Sequence, residues 1–132
     1  MDKTIISYSE YSILIDELVE KIKDGLDLSK IEMIYTFIRG GLPIAVHLSH
    51  VLNIKMFSDE SDVYFPGYYS DTILVVDDIA DTGKTLNGYH TLFPTATLFY
   101  KPRSVIKPTF YVRETTKWIV FPWELVDEEP NR

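Results

Sequence analysis

The hydrophobic positions at the start of the chain follow a helical spacing. A helix over residues 10–24 is predicted by its apolar stripe, which consists of Ile13, Leu14, Leu18, Val19 and Ile22. Ser9 or Ser12 is suited to cap the start of this helix, and Gly25 is suited to end it.

Further along, short apolar runs alternate with helical patterns. Strands are predicted at 31–38, 54–57, 72–76 and 95–100, with short extended pieces at 109–112 and 118–121. Helices are predicted at 43–52, with Pro43 in the first turn, and at 83–93, while the polar and aromatic stretch 58–72 is predicted to be a loop. Since strands and helices alternate without a linker, we expect one α/β domain over residues 1–132 with a central, mainly parallel sheet flanked by helices.

Composition narrows the classes of function. The chain has no cysteine, which removes disulfides, thiolate metal sites and cysteine nucleophiles. A net charge of -7 argues against a general nucleic-acid or membrane-surface binder. The N-terminal apolar cluster is interrupted by Glu10, Asp16 and Glu17, unlike a signal peptide. We therefore expect a soluble, cytoplasmic protein without a nucleic-acid or membrane partner.

Polar groups gather where the predicted strands end. They are Arg39, Gly40 and Gly41 after one strand, Asp77 and Asp78 after another, and Asp81, Thr82, Gly83, Lys84 and Thr85 at the start of the following helix. Parallel sheets bind ligands beyond the carboxyl ends of their strands. A glycine turn at a helix start offers N–H groups to a phosphate, and paired carboxylates suit ribose hydroxyls or hydrated Mg²⁺. Together these features indicate a phosphorylated sugar as the ligand.

Other interpretations of ILVVDDIADTGKTL, residues 73–86, fit less well. The phosphate-binding loop GxxxxGK[ST] requires glycine where this chain has Asp78. The DxDx[TV] spacing of one phosphatase class is absent. Simple helix capping by Asp81 or Thr82 would explain one of the acids but not all three.

The same stretch resembles the ribose-phosphate signature of type I phosphoribosyltransferases, and it is most similar to that of the 6-oxopurine (xanthine-guanine and hypoxanthine-guanine) members. FIRGGL (37–42) resembles their pyrophosphate loop, FYKP (99–102) the strand with a purine-contacting lysine, and WIVFPWE (118–124) the base-binding end. The resemblance covers nearly the whole chain. It implies the type I phosphoribosyltransferase fold, with a small hood formed by about 101–132 together with the N-terminal segment.

The resemblance also implies a reaction: 5-phosphoribose would pass from 5-phosphoribosyl 1-pyrophosphate (PRPP) to guanine, xanthine or hypoxanthine with Mg²⁺, giving pyrophosphate and a nucleoside monophosphate in purine salvage. Asp81 would be the general acid/base at purine N7. PRPP would be bound by Arg39, Gly40, Gly41, Asp77, Asp78, Asp81, Thr82, Gly83, Lys84 and Thr85. Lys101 would meet the 6-oxo oxygen, Trp118 would stack on the base, Ile119 would meet its polar edge through the backbone, and Asp77, Asp78 and Glu124 would serve the metal.

The segment that usually closes over the site is short in this chain. It comprises residues 58–69, and no basic residue occurs between Lys55 and Lys84. A PRPP- or nucleotide-binding regulatory module with weak or no catalysis is therefore an alternative, as is an enzyme acting on another oxo base such as a pyrimidine. The family commonly forms dimers or tetramers, so we expect a homo-oligomer, and the preferred oxopurine stays open.

Overall fold

A computed structural model describes residues 2–64 and 72–124 of the chain. In chain order the elements are β1 (Lys3–Ile5), α1 (Tyr8–Gly25), a 3-10 helix (Leu28–Lys30), β2 (Met33–Thr36), α2 (Leu42–Leu52), β3 (Met56–Phe57), α3 (Ser61–Tyr64), β4 (Ile73–Val76), β5 (Ile79–Ala80), α4 (Lys84–His90), β6 (Thr95–Ala96), β7 (Phe99–Tyr100), β8 (Arg113–Glu114) and β9 (Trp118–Val120). No helix in these two ranges is long and apolar enough to cross a membrane.

The strands form parallel sheets, as the alternating pattern predicted. The central sheet has the order β3-β2-β4-β6, a second sheet has the order β5-β7-β8, and β1 pairs with β9. Every strand pairing in the described ranges is parallel. With helices packed on the sheet, this is the α/β architecture that the sequence indicated.

The central strands β2 and β4 are buried at every residue. Their side chains point alternately to the two faces of the sheet. Leu74 and Val76 join the cluster that contains the buried faces of α1 and α2, while Ile73 and Val75 pack with Leu86 of α4 on the other side. Burial on both faces explains why these strands are continuous apolar runs instead of alternating patterns.

Helix α1 begins earlier than predicted. Ser7 is its N-cap, because the Ser7 hydroxyl accepts a hydrogen bond from the Glu10 N–H at 3.1 Å and the Glu10 carboxylate accepts one from the Ser7 N–H at 3.3 Å. The prediction of Ser9 or Ser12 as the cap was therefore wrong, whereas the predicted end at Gly25 is confirmed. The predicted stripe also needs one correction, since Ile13 is 60% exposed and Ile15 is fully buried.

The chain bends at the end of β4 and at the end of β6, which are neighbouring strands of the central sheet. The predicted strand 95–100 is divided into β6 and β7, which belong to different sheets, and β5 continues beyond β4 after Asp77 and Asp78. Backbone bonds span the bend, because the Asp77 N–H donates to the Ala96 carbonyl and the Leu98 N–H donates to the Asp78 carbonyl, each at 3.0 Å. The bend places both aspartates at the junction of the two sheets.

Several element boundaries also differ from the sequence prediction. The helix expected at 83–93 ends at His90, and part of the predicted loop 58–72 forms α3. The strand expected at 109–112 is replaced by β8, which begins at the next residue, although an isolated bridge joins Phe110 to Ala96. Residues 65–69 of the expected lid, and residues 125–132 of the expected hood, lie outside the described residues.

Candidate active site

Asp77 and Asp78 begin the site at the end of β4. The Asp77 Oδ1 atom accepts a hydrogen bond from the Asp78 N–H at 2.9 Å, and the Asp78 Oδ1 atom accepts one from the Ile79 N–H at 2.8 Å. Asp78 is only 2% exposed. Since aspartate is seldom buried so fully, the fold holds this carboxylate at a defined position.

The glycines of the Arg39–Gly41 loop lie directly against these two acids. A Cβ atom at Gly40 would approach the Asp78 Oδ2 atom to 2.8 Å, and a Cβ atom at Gly41 would approach the Asp77 Oδ1 atom to 3.1 Å. Glycine is therefore required for the backbone to come this close. The peptide bond between Ile38 and Arg39 is cis, and Arg39 itself is exposed.

The Thr82–Thr85 loop crosses from β5 to α4 with Gly83 in the left-handed conformation, at φ 83°. The Thr82 hydroxyl accepts a hydrogen bond from the Lys84 N–H at 3.4 Å. Thr82, Lys84 and Thr85 are all exposed. A small cavity of about 30 Å³ lies along residues 77–86. Lys84 and Thr85 are the first residues of α4, which is only seven residues long, so a phosphate at this position would be bound by the N–H and hydroxyl groups of residues 82–85 more than by the helix dipole.

The turn that follows β7 lies on the Thr82–Thr85 loop. The Val105 N–H donates to the Thr82 carbonyl at 2.8 Å, and the Ser104 N–H closes the turn by donating to the Lys101 carbonyl at 2.9 Å. The Ser104 hydroxyl oxygen would lie 2.3 Å from a Cβ atom at Gly83. The turn and the loop are therefore packed in direct contact.

Asp81 is held by two cations from this turn. The Lys101 ammonium lies 3.3 Å from Asp81 Oδ1, and the Arg103 guanidinium donates to the same oxygen through Nε at 2.9 Å and through Nη2. Burial is the largest single influence and raises the pKa of Asp81. The hydrogen bonds and charges of Arg103 and Lys101 together outweigh burial, so the pKa of Asp81 is lowered overall.

The Lys101 side chain also contacts Trp118. The Lys101 ammonium lies 5.6 Å from the centroid of the Trp118 ring, within the range of a cation–π contact. Both residues line a cleft of about 660 Å³, which falls in the size range of small-molecule sites. Ile119, which follows Trp118, has its side chain buried in the core, so its backbone is the part that could meet a base.

Glu124 has a local partner in the structure. Its Oε1 atom accepts a hydrogen bond from the Phe121 N–H at 2.9 Å, and its own N–H donates to the Phe121 carbonyl. Within residues 2–64 and 72–124, no three side chains of histidine, cysteine, aspartate or glutamate are grouped to hold a metal. The pair Asp77 and Asp78 nevertheless fits Mg²⁺, which usually takes one or two carboxylates together with substrate phosphates and water.

Arg103 belongs to the candidate site, but the sequence analysis did not predict a role for it. Its side chain reaches Asp81 across 22 residues of sequence. The signal available in the sequence was its position two residues after Lys101, in a turn marked by Pro102. That signal predicts a turn, but it does not say which carboxylate the guanidinium meets.

Comparison with curated proteins gives a partial match, and no family model matches the chain. In an alignment of 67 positions that covers 46% of this chain, it is 41% identical to a xanthine-guanine phosphoribosyltransferase of Cereibacter sphaeroides and 38% identical to one of a Ruegeria species. The matched part spans 40% and 38% of those enzymes, so it represents about two fifths of the length of these relatives.

Comparison with solved structures covers the chain more fully. A purine phosphoribosyltransferase of Pyrococcus horikoshii aligns over 100% of both chains with a TM-score of 0.78 and 31% identity. A xanthine-guanine-hypoxanthine phosphoribosyltransferase of Helicobacter pylori aligns over 92% of this chain and 91% of its own, with a TM-score of 0.75 and 22% identity. At that identity, the second likeness concerns the fold alone.

Proposed function

Because the chain belongs to the type I phosphoribosyltransferase family, we propose that it transfers 5-phosphoribose from PRPP to a 6-oxopurine, releasing pyrophosphate and forming a nucleoside monophosphate. The observation that carries this proposal is the position of Lys101. Its ammonium contacts Asp81, beside the phosphate loop, and the ring of Trp118, in the large cleft. A sugar-phosphate site and a base site would thus share one side chain.

PRPP would lie along the ends of the parallel strands. The Thr82–Thr85 loop would bind the 5′-phosphate through N–H and hydroxyl groups, and the Arg39–Gly41 loop would bind pyrophosphate through its backbone and the exposed guanidinium. Asp77 and Asp78 would hold ribose hydroxyls or the metal. The contact of Gly40 with the Asp78 carboxylate supports this, because it brings the pyrophosphate loop beside the acids.

Asp77 and Asp78 would also be the protein ligands of Mg²⁺, with Glu124 as a more distant supporting acid. The chemistry that bound Mg²⁺ supplies is neutralisation of the charge that grows on the leaving pyrophosphate. The protein's own contribution is to fix the two carboxylates, which it does through the backbone bonds at Asp78 and Ile79. Fixed ligands need no reorganisation as charge develops.

The base would enter the cleft lined by Lys101 and Trp118. A purine nitrogen would form a bond to the anomeric carbon while the bond from that carbon to pyrophosphate breaks, and Asp81 would take the proton from N7. Lys101 would donate a hydrogen bond to the 6-oxo oxygen. Adenine has a 6-amino group at this position, which cannot accept that hydrogen bond. Trp118 would stack on the ring.

A PRPP- or nucleotide-binding regulatory module is the second candidate. The observation that favours it is the double ion pair of Asp81, since a carboxylate whose pKa is lowered by Lys101 and Arg103 is a weak proton acceptor. Such a module would keep the sugar-phosphate contacts and turn over slowly or not at all. Purine entry would need to draw Lys101 toward the base before Asp81 could act.

One assay separates these functions. The protein, Mg²⁺ and PRPP are mixed separately with guanine, xanthine, hypoxanthine, adenine and uracil, and nucleoside monophosphate is measured while PRPP binding is followed by calorimetry. Product with oxopurines but not with adenine supports the transferase and ranks the three oxopurines. PRPP binding without product on any base supports the regulatory module, and product with uracil alone supports a pyrimidine enzyme.

Three broader expectations are also proposals. The chain would act as a homo-oligomer, either a dimer or a tetramer, in the cytoplasm, and residues from about 101 onward would form a hood with the N-terminal segment. The pairing of β1 with β9 supports the hood, because it joins the two ends of the described chain. Light scattering after size exclusion would measure the oligomer.

A further inference from the structure

Arg103 makes an ion pair that stability alone does not explain. Its side chain is 62% exposed, whereas the carboxylate of Asp81 is 16% exposed. Two guanidinium nitrogens nevertheless donate to the same Asp81 oxygen. Exposed ion pairs contribute little to folding, so the effect of this one is better sought at its buried end, where the carboxylate is the candidate proton acceptor.

The backbone of the Lys101–Val105 turn fixes where that guanidinium can reach. The turn is closed by the hydrogen bond from Ser104 to Lys101, and it is joined to the phosphate loop by the hydrogen bond from Val105 to Thr82. Lys101 and Arg103 therefore approach Asp81 from one short segment. A movement of Lys101 toward a base in the cleft need not carry Arg103 with it, because the two contacts use different side chains.

We propose that Arg103 is a positioning residue, which keeps the Asp81 carboxylate ionised and oriented when Lys101 turns toward the purine. This inference rests on the proposed function and adds a specific role within it. Without Arg103, Lys101 would be the remaining close cation on Asp81. The carboxylate and the 6-oxo oxygen would then compete for one ammonium group.

Other charged side chains lie near the site but form no ion pair with Asp81 within residues 2–64 and 72–124. Lys84 is exposed at the start of α4, Lys117 lines the cleft beside Trp118, and Asp2 lines it from the residue before β1. The cations that form ion pairs with the Asp81 carboxylate are Lys101 and Arg103. Lys101 is proposed to contact the purine, whereas Arg103 has no proposed contact with a substrate. Arg103 can therefore be substituted without removing a residue that binds the purine.

The proposal predicts a specific kinetic pattern for Arg103→Gln. The KM for the oxopurine should rise about tenfold, because Lys101 is retained by Asp81, while the KM for PRPP should change less than about twofold. The acid limb of the kcat/KM profile should move to higher pH, because loss of a neighbouring cation raises the pKa of Asp81. Arg103→Lys should give an intermediate result, since it restores the charge without the two-nitrogen contact.

The experiment combines these kinetics with carboxyl ¹³C NMR titration of the ligand-free chain. Wild type, Arg103→Gln, Arg103→Lys and the matched control Arg113→Gln are compared, after circular dichroism confirms that each is folded. Arg113 is suitable as the control because its own exposed ion pair is with Glu17. The expected result is a raised Asp81 titration midpoint in Arg103→Gln, a smaller rise in Arg103→Lys and no change in Arg113→Gln.

Two outcomes overturn the proposal: an unchanged Asp81 titration in Arg103→Gln, or an altered titration with unchanged base KM and pH profile in an active enzyme. If the wild-type protein forms no nucleotide, the proposed transferase function fails. The titration still decides whether Arg103 controls the charge of Asp81, so the two failures are distinguishable.

Discussion

The ammonium group of Lys101 lies 3.3 Å from the carboxylate of Asp81, and the lysine side chain is only 7% exposed. The two residues belong to different parts of the site, since Asp81 precedes the phosphate loop and Lys101 begins the turn that borders the cleft. A buried lysine is costly unless it is paired, so the ligand-free chain keeps this contact. A base that needs Lys101 must therefore compete with Asp81 for it.

Asp81→Asn should lower turnover by about a hundredfold or more, because an amide cannot accept the purine proton. PRPP affinity should change little, since the phosphate loop begins at the next residue. Steady-state kinetics with guanine and calorimetry with PRPP would measure the two effects.

Thr82→Val provides the complementary variant. It removes a hydroxyl group from the Thr82–Thr85 loop, which is proposed to bind the 5′-phosphate. It should weaken PRPP binding about tenfold, with a smaller effect on turnover. If both substitutions left PRPP affinity and turnover unchanged, neither residue would have the role proposed for it.

The fold around the candidate site was predictable where it depends on residues that are neighbours in the sequence. The run from Ile73 to Val76 is buried at every residue, Asp77 and Asp78 follow it directly, and Gly83 stands at the start of the next helix. These features come from neighbouring residues, so the pattern of the printed sequence is sufficient to place them.

Features set by distant contacts were not predictable in the same way. The break between β6 and β7 depends on backbone bonds from Asp77 and Leu98 across the bend, and a continuous apolar pattern does not reveal them. Ser7, Ser9 and Ser12 are all plausible caps by composition, and the reciprocal bonds with Glu10 select the first. The pairing of Arg103 with Asp81 likewise depends on tertiary structure.

Gly41→Ala should destabilise the fold by about 1–3 kcal/mol, because the added methyl group has no space. It would lie 2.3 Å from the Thr36 hydroxyl, which donates to the Val76 carbonyl, and 3.0 Å from that carbonyl. The displaced loop should also bind PRPP more weakly. Urea unfolding and calorimetry would measure both effects.

Gly88→Ala is the matched control for this variant. Gly88 lies within α4, and a Cβ atom there would meet nothing within 4 Å. Alanine should therefore stabilise the chain by roughly 0.5–1 kcal/mol through helix propensity. Equal stability changes in the two variants would contradict the steric argument at Gly41.

Tyr11→Phe should change how stability depends on pH at the alkaline end. Burial raises the pKa of Tyr11 from its ordinary value of 10.0 to about 12, and its ring lies 5.1 Å from that of Trp123. Since the folded-state pKa is the higher one, stability is complete below the unfolded pKa and is lost as pH rises from there through about 12. The variant should lose less stability over this interval, as measured by unfolding at several alkaline pH values.

Removal of Mg²⁺ by a chelator should abolish nucleotide formation while leaving the unfolding midpoint almost unchanged. The two carboxylates at the end of β4 would bind the ion together with PRPP instead of forming a site of their own. Asp77→Asn should raise the Mg²⁺ concentration needed for half-maximal rate, measured at saturating PRPP. A rate that did not depend on Mg²⁺ would remove the assigned metal role of both aspartates.

Lys101→Met should remove the discrimination between oxo and amino purines. Methionine retains much of the buried side-chain volume but cannot donate to the 6-oxo oxygen, so kcat/KM for guanine should fall about tenfold or more. The rate with adenine should fall much less, because adenine offers no oxygen for Lys101 to meet. Asp81 would keep Arg103 as its partner, which should limit the loss of stability. Lys107→Met is a suitable control, since Lys107 is exposed and lies over the ring of Tyr111 instead. If guanine and adenine lost rate equally in the Lys101 variant, the ammonium group would be serving Asp81 and the packing of Trp118, and base selection would have to come from the backbone beside Ile119.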